Sequence, residues 1–176
     1  MVENYDPGKL DFVNESIVIT DPCYIIPKIE QGFADANEWD KCDYGSSMDK
    51  LGFTKFFTRS NGYGDGGWKV VNKKDDKLLG EIWADSGQTG IYLLDEVKKY
   101  NPDASIFFPA FDGGRFGAII IENFTGEISW SYRVAHYVWD GKDYDSYYLI
   151  LTAVGKSGDE EIDFSVDFGH VNYEEE

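Results

Sequence analysis

The chain has 176 residues, 33 acidic against 16 basic side chains, and a formal net charge of -17. Hydrophobic residues make up 42% of it, with 5 Trp, 12 Tyr and 12 Phe, so it can bury a core and its acidity does not make it a disordered tail. With 3 Arg in all it lacks the clustered cations that phosphate backbones require, and no apolar run approaches the ~20 residues of a membrane span; direct nucleic-acid binding and membrane insertion are set aside.

A single domain over 1–176 is expected, with 1–10 and 172–176 fraying at its ends. Met1 to Thr20 holds Glu3, Asp6, Lys9, Asp11 and Glu15 and no basic-then-apolar leader, which predicts a soluble protein in the cytoplasm. Ser16 to Thr20 is a β-branched strand stopped by Asp21-Pro22. Ala36, Trp39 and Cys42 recur at helical spacing and predict a short helix within Ala34 to Cys42. Phe53 to Thr58 and Trp68 to Val71 flank a glycine-rich segment, Ser60 to Gly67, and read as a hairpin. Leu79 to Ala84 and Thr89 to Leu93 read as a second hairpin around Asp85-Ser86-Gly87-Gln88. Asp95 to Tyr100 starts acidic, ends basic and stops before Asn101-Pro102, the pattern of a short helix. Gly117 to Glu122, Glu127 to Arg133, Tyr147 to Val154 and Ile162 to Phe168 are further strands, joined by Asn123 to Gly126 and by turns at Asp140-Gly141 and Ser157-Gly158. The fold class is therefore mainly β (α+β): one antiparallel β-sandwich or strongly curved sheet with two short helices.

Four local words stand out: Asp21-Pro22-Cys23-Tyr24, Tyr63-Gly64-Asp65-Gly66, Asp85-Ser86-Gly87 and Phe111-Asp112-Gly113-Gly114-Arg115-Phe116. From Ser16 to about Pro109 the chain resembles a widespread group of uncharacterised phage and bacterial proteins with an aspartate-proline-cysteine-tyrosine word after an N-terminal strand. The match rests on that word, the Trp39 to Cys42 helix, the Tyr63 to Gly66 loop and Asp85-Ser86-Gly87. The resemblance implies a small β-rich domain in a phage or prophage setting, and it supplies no catalytic residues.

Asp21, Asp65, Asp85 and Asp112 sit in tight turns and could gather around calcium, but no segment has the alternating order of a calcium loop, and Asp and Gly are the ordinary residues of turns. Cys23 and Cys42 have no zinc spacing and are expected reduced; no metal or cofactor is expected. His136 lacks a Ser or Cys nucleophile motif, so no catalytic residue is assigned and the protein is read as a non-enzyme.

Three function classes remain, of which a weak hydrolase or calcium module trails the other two. Glycine-rich loops leave backbone N–H groups open to anions, Arg59 and Arg115 stand beside two of them, and Tyr63, Trp68 and Phe116 supply stacking faces. These five residues are the expected site for a small nucleotide-like anion, which in a phage setting would be a captured host immune signal. The alternative is an acidic protein that blocks a basic host protein by mimicking nucleic-acid charge. The aromatic density from Trp130 to Tyr148 exceeds what one short hairpin can bury and predicts a homodimer.

Overall fold

The computed structural model describes residues 5–26, 48–107, 117–170 and the backbone of 109–111 and 114–115. The helix expected between Ala34 and Cys42 lies outside them, as does the tail from 171. About 60% of the chain is strand, in antiparallel sheets that do not close into a barrel. In chain order the strands are β1 (Gly8–Thr20), β2 (Phe56–Ser60), β3 (Gly66–Val71), β4 (Leu78–Ala84), β5 (Gln88–Leu93), β6 (Pro109–Phe111), β7 (Gly114–Arg115), β8 (Ile119–Trp139), β9 (Lys142–Ser157) and β10 (Glu160–Asp167). The helix α1 (Leu94–Tyr100) follows β5, with Asp95 and Glu96 in its first turn and Lys98 and Lys99 in its last, complementing the helix dipole. Among the described residues no helix is long and apolar enough to cross a membrane.

Six strands form the main sheet in the order β10-β9-β8-β1-β5-β2; β3–β4 and β6–β7 are separate two-stranded ribbons. Alternation along the inner strands builds a core on each face. Ile17, Ile19, Phe57, Ile91, Ile119 and Ile121 point to one side, where Trp68, Val70, Ile82 and Ala84 of the β3–β4 ribbon cover them. Val18 and Tyr92 point to the other, against Leu94 and Val97 of α1 and Ile25, Ile26, Met48 and Phe53. Each fully buried aliphatic side chain contributes about 1.5–3 kcal/mol, and both faces of β1 and β5 are spent this way.

Three sequence expectations are corrected. First, β2 does not pair with β3, nor β4 with β5: β5 lies between β1 and β2, while β3 and β4 pair with each other. The glycine-rich loops after β2 and β4 carry the chain from one layer to the other instead of turning it back. Second, Asn123 to Gly126 is no connection but part of the single strand β8. Asn123 takes a left-handed φ of 50°, an angle Asn tolerates, and the β1–β8 register slips between Phe12 and Ile17, so the strand bends through a bulge and continues. Third, residues 8–10 open β1 instead of fraying, and Tyr5 before them stacks on Tyr147. The Asp140-Gly141 turn is as expected: both residues have positive φ, 51° and 70°, the signature of a type I′ hairpin.

Candidate functional site

Asp21 caps the short 3-10 turn Pro22–Tyr24 and is fully buried. Its Oδ1 accepts from the Cys23 N–H at 2.8 Å and from the Ser86 hydroxyl at 2.6 Å, and its Oδ2 accepts from the Asp85 and Ser86 N–H groups at 3.0 and 2.8 Å. The Tyr24 hydroxyl donates back to Asp85 Oδ2 at 2.7 Å. Two words distant in sequence thus form one clasp. A third joins through Asn61, also fully buried. Its Oδ1 accepts from the Tyr63 and Gly64 N–H groups, both at 2.8 Å, its Nδ2 donates to the Gly64 carbonyl, and its own N–H donates to the Gly87 carbonyl. The two layer-crossing loops therefore hold each other.

This clasp is architectural. Four donors occupy both oxygens of Asp21, leaving it poorly placed to take a cation. Burial and the neighbouring Asp21 charge push the Cys23 thiol up, so it stays protonated and weakly nucleophilic at neutral pH. Burial and the bond to Asp85 likewise push the Tyr24 phenol up. Among the described residues no three His, Cys, Asp or Glu side chains are arranged to hold a metal ion.

A different set of residues has unfilled hydrogen-bonding capacity. Among the described residues, three buried side-chain atoms have no partner: Trp68 Nε1, Thr89 Oγ1 and the Tyr132 hydroxyl oxygen. Each can donate. Thr89 is the direct register partner of Arg59, on the same sheet face. Arg59 spans from its own neighbourhood, where it donates to the Thr58 carbonyl and lies 5.5 Å from the Phe57 ring, to the vicinity of the Tyr132 hydroxyl. Burial pushes that hydroxyl up to about 12, against the pull of the guanidinium, so it remains a neutral donor at working pH. Leu149 ties the neighbourhood together: it pairs across the ladder with Tyr132, its N–H donates to the Asn61 carbonyl, and its carbonyl accepts from Phe168, whose ring packs 4.8 Å from Trp68. Tyr5 covers the outer side, stacked on Tyr147 at 4.3 Å and edge-on to Tyr132 at 5.2 Å.

Of the five residues expected to bind ligand, Tyr63 and Trp68 do meet, edge to face at 6.0 Å. Trp68, however, is 1% exposed and wedged against Phe168, so its indole is core and offers no open face to a base. Tyr63 is exposed. Arg59 joins Thr89 and Tyr132 instead. Arg115 lies on β7 opposite Pro109, in a ribbon that docks on β4; its side chain and Phe116 lie outside the described residues. His136 bonds to Asp145 on the exposed end of the β8–β9 hairpin, far along the strand from Tyr132. Thr89 and Tyr5 carry no signal in the sequence, since their surroundings depend on partners in distant strands, whereas Tyr132 and Tyr147 belong to the aromatic-rich stretch from Trp130 to Tyr148.

The fold is mainly antiparallel β with short helices, and three buried side-chain donors in it, on Trp68, Thr89 and Tyr132, lack partners among the described residues. Comparison with protein-family models, with curated proteins and with solved structures finds no match.

Proposed function

We propose that the protein is a non-enzymatic binder of a small, phosphate-bearing, nucleotide-like anion, held by Arg59, Thr89 and Tyr132. The observation that carries this reading is the donor set itself: two buried hydroxyls, of Thr89 and Tyr132, with no partner for either, and the half-buried guanidinium of Arg59 beside them. Buried donors without partners are rare and costly, and an anion supplies the missing acceptors. Arginine suits the role because its fork matches a phosphate edge. Tyr5 occupies the Tyr147 face in the structure, and a base stacking there in its place would complete recognition. In a phage setting such a protein would sequester a host nucleotide signal.

Titration calorimetry with AMP, and with inorganic phosphate as the minimal probe, tests this. Arg59→Ala should weaken AMP binding by about 1.5–3 kcal/mol, roughly ten- to more than a hundredfold. Wild-type protein that takes up neither probe, or an Arg59→Ala variant that binds both unchanged, would sink the proposal.

A further inference from the structure

The β8–β9 hairpin outruns the sheet that carries it. The β1 partners of β8 end at Gly8 opposite Trp130, and the β10 partners of β9 end at Asp167 opposite Ile150. Among the described residues, the two strands pair only with each other from Ser131 to Trp139 and from Lys142 to Tyr148. A free two-stranded ribbon is marginal in water, and this one exposes Val134, Tyr137, Val138, Trp139 and Tyr144; Val138 is 68% and Trp139 70% accessible.

The two open edges differ. That of β9 carries Lys142, Asp143 and Asp145, charges of the kind that keep an edge from pairing. That of β8 carries no Lys, Pro, Gly or carboxylate from Ser131 to Trp139, and none of these residues has a positive φ. Indeed Ile128 to Trp139 is free of Asp and Glu in a chain with 33 of them. We propose that the β8 edge pairs antiparallel with the β8 edge of a second copy of this chain, about a two-fold axis at His136.

The register follows from the hairpin. A two-residue turn closes on a hydrogen-bonded pair, here Trp139 and Lys142, so Val138, His136 and Val134 aim their N–H and C=O groups away from β9. Antiparallel self-pairing must match residues of this set. Centring on His136 sets Val134 against Val138 of the second copy and Ala135 against Tyr137: apolar on apolar, small on large. Each His136 brings its own hydrogen-bonded partner, Asp145, to the axis. A second copy fits better than an unrelated strand because the edge is complementary to itself and because it is the stretch where two chains of -17 can touch without opposing carboxylates. Charges elsewhere are screened beyond ~8 Å at physiological salt.

Light scattering at 0.15 M salt across the micromolar range should give twice the 20.0 kDa chain mass. Val138→Lys and Val138→Pro each block the outward edge while sparing the β8–β9 ladder. Both should raise the dissociation constant at least a hundredfold while circular dichroism and melting of the monomer stay unchanged. Under mild oxidation His136→Cys should give a covalent dimer that Tyr144→Cys does not. A wild-type mass near 20 kDa throughout, whatever other protein then binds the ribbon, would overturn the proposal. So would a dimer that survives both Val138 variants, or His136→Cys chains that stay unlinked while the protein is dimeric.

Discussion

Asp21 and Tyr132 are opposite cases of a buried polar side chain. Asp21 is saturated by four donors, and Asp21→Asn would turn one acceptor into a donor facing N–H groups that have nowhere else to go. A loss of about 3 kcal/mol is expected, read as a lower urea midpoint with an unchanged m-value. Tyr132 has an orphan hydroxyl, so Tyr132→Phe should behave the other way and stabilise the free protein, by about 1 kcal/mol. If the hydroxyl also serves an anion, the same variant binds AMP less tightly although it melts higher. Stability and affinity moving in opposite directions would separate a binding donor from a packing defect. Gly62 is constrained by its backbone instead: its φ is 83°, and a Cβ there would overlap the Tyr147 carbonyl where the loop crosses β9. Gly62→Ala should cost at least about 2 kcal/mol by thermal melting, through backbone strain together with steric overlap.

At the scale of elements, short-range patterns were legible and pairing was not. The helix Leu94–Tyr100 showed in its charge order, and the Asp140-Gly141 hairpin in its dipeptide, because both are decided within a few residues. The glycine-rich loops looked like hairpin turns because Gly and Asp serve any sharp change of direction. What sends the chain across to the other layer is Asn61 holding Gly87 and Asp21 holding Ser86, contacts with no local trace. The site divides in the same way. Arg59 stands out in the sequence beside its glycine-rich loop, while Thr89 looks like any strand threonine until β2 is laid beside β5. Trp68 was taken for a stacking face because a residue beside a glycine loop reads as exposed, whereas the ribbon it belongs to turns inward over the core. The strand β10 is fastened to β8 by Arg133, whose Nε and Nη2 donate to Asp167 at 2.9 and 3.2 Å. Burial alone would raise the Asp167 carboxyl, but Arg133 and the Gly169 N–H outweigh it and hold the group below its usual range. A depressed carboxylate stabilises the fold above its unfolded pKa of about 3.9 and loses that contribution as pH falls through its folded value. The melting temperature of Arg133→Leu should therefore fall less steeply than that of the wild type between pH 5 and pH 2.

For the whole molecule, the arrangement of the main sheet governs how the chain can assemble. β1 lies in the middle, and its two neighbours are β5, at Ile17 opposite Leu93, and β8, at Gly8 opposite Trp130. Those partners arrive roughly 75 and 120 residues later, so β1 leaves the ribosome well before the strands it pairs with. Its Ile-Val-Ile sequence waits roughly 75 residues for β5 and roughly 100 for the matching part of β8, and both pairings carry the loop-closure entropy of that separation. Chains cut after residue 118 would lack one side of their central strand and should aggregate rather than fold into a smaller domain, while the complete chain should refold slowly for its size.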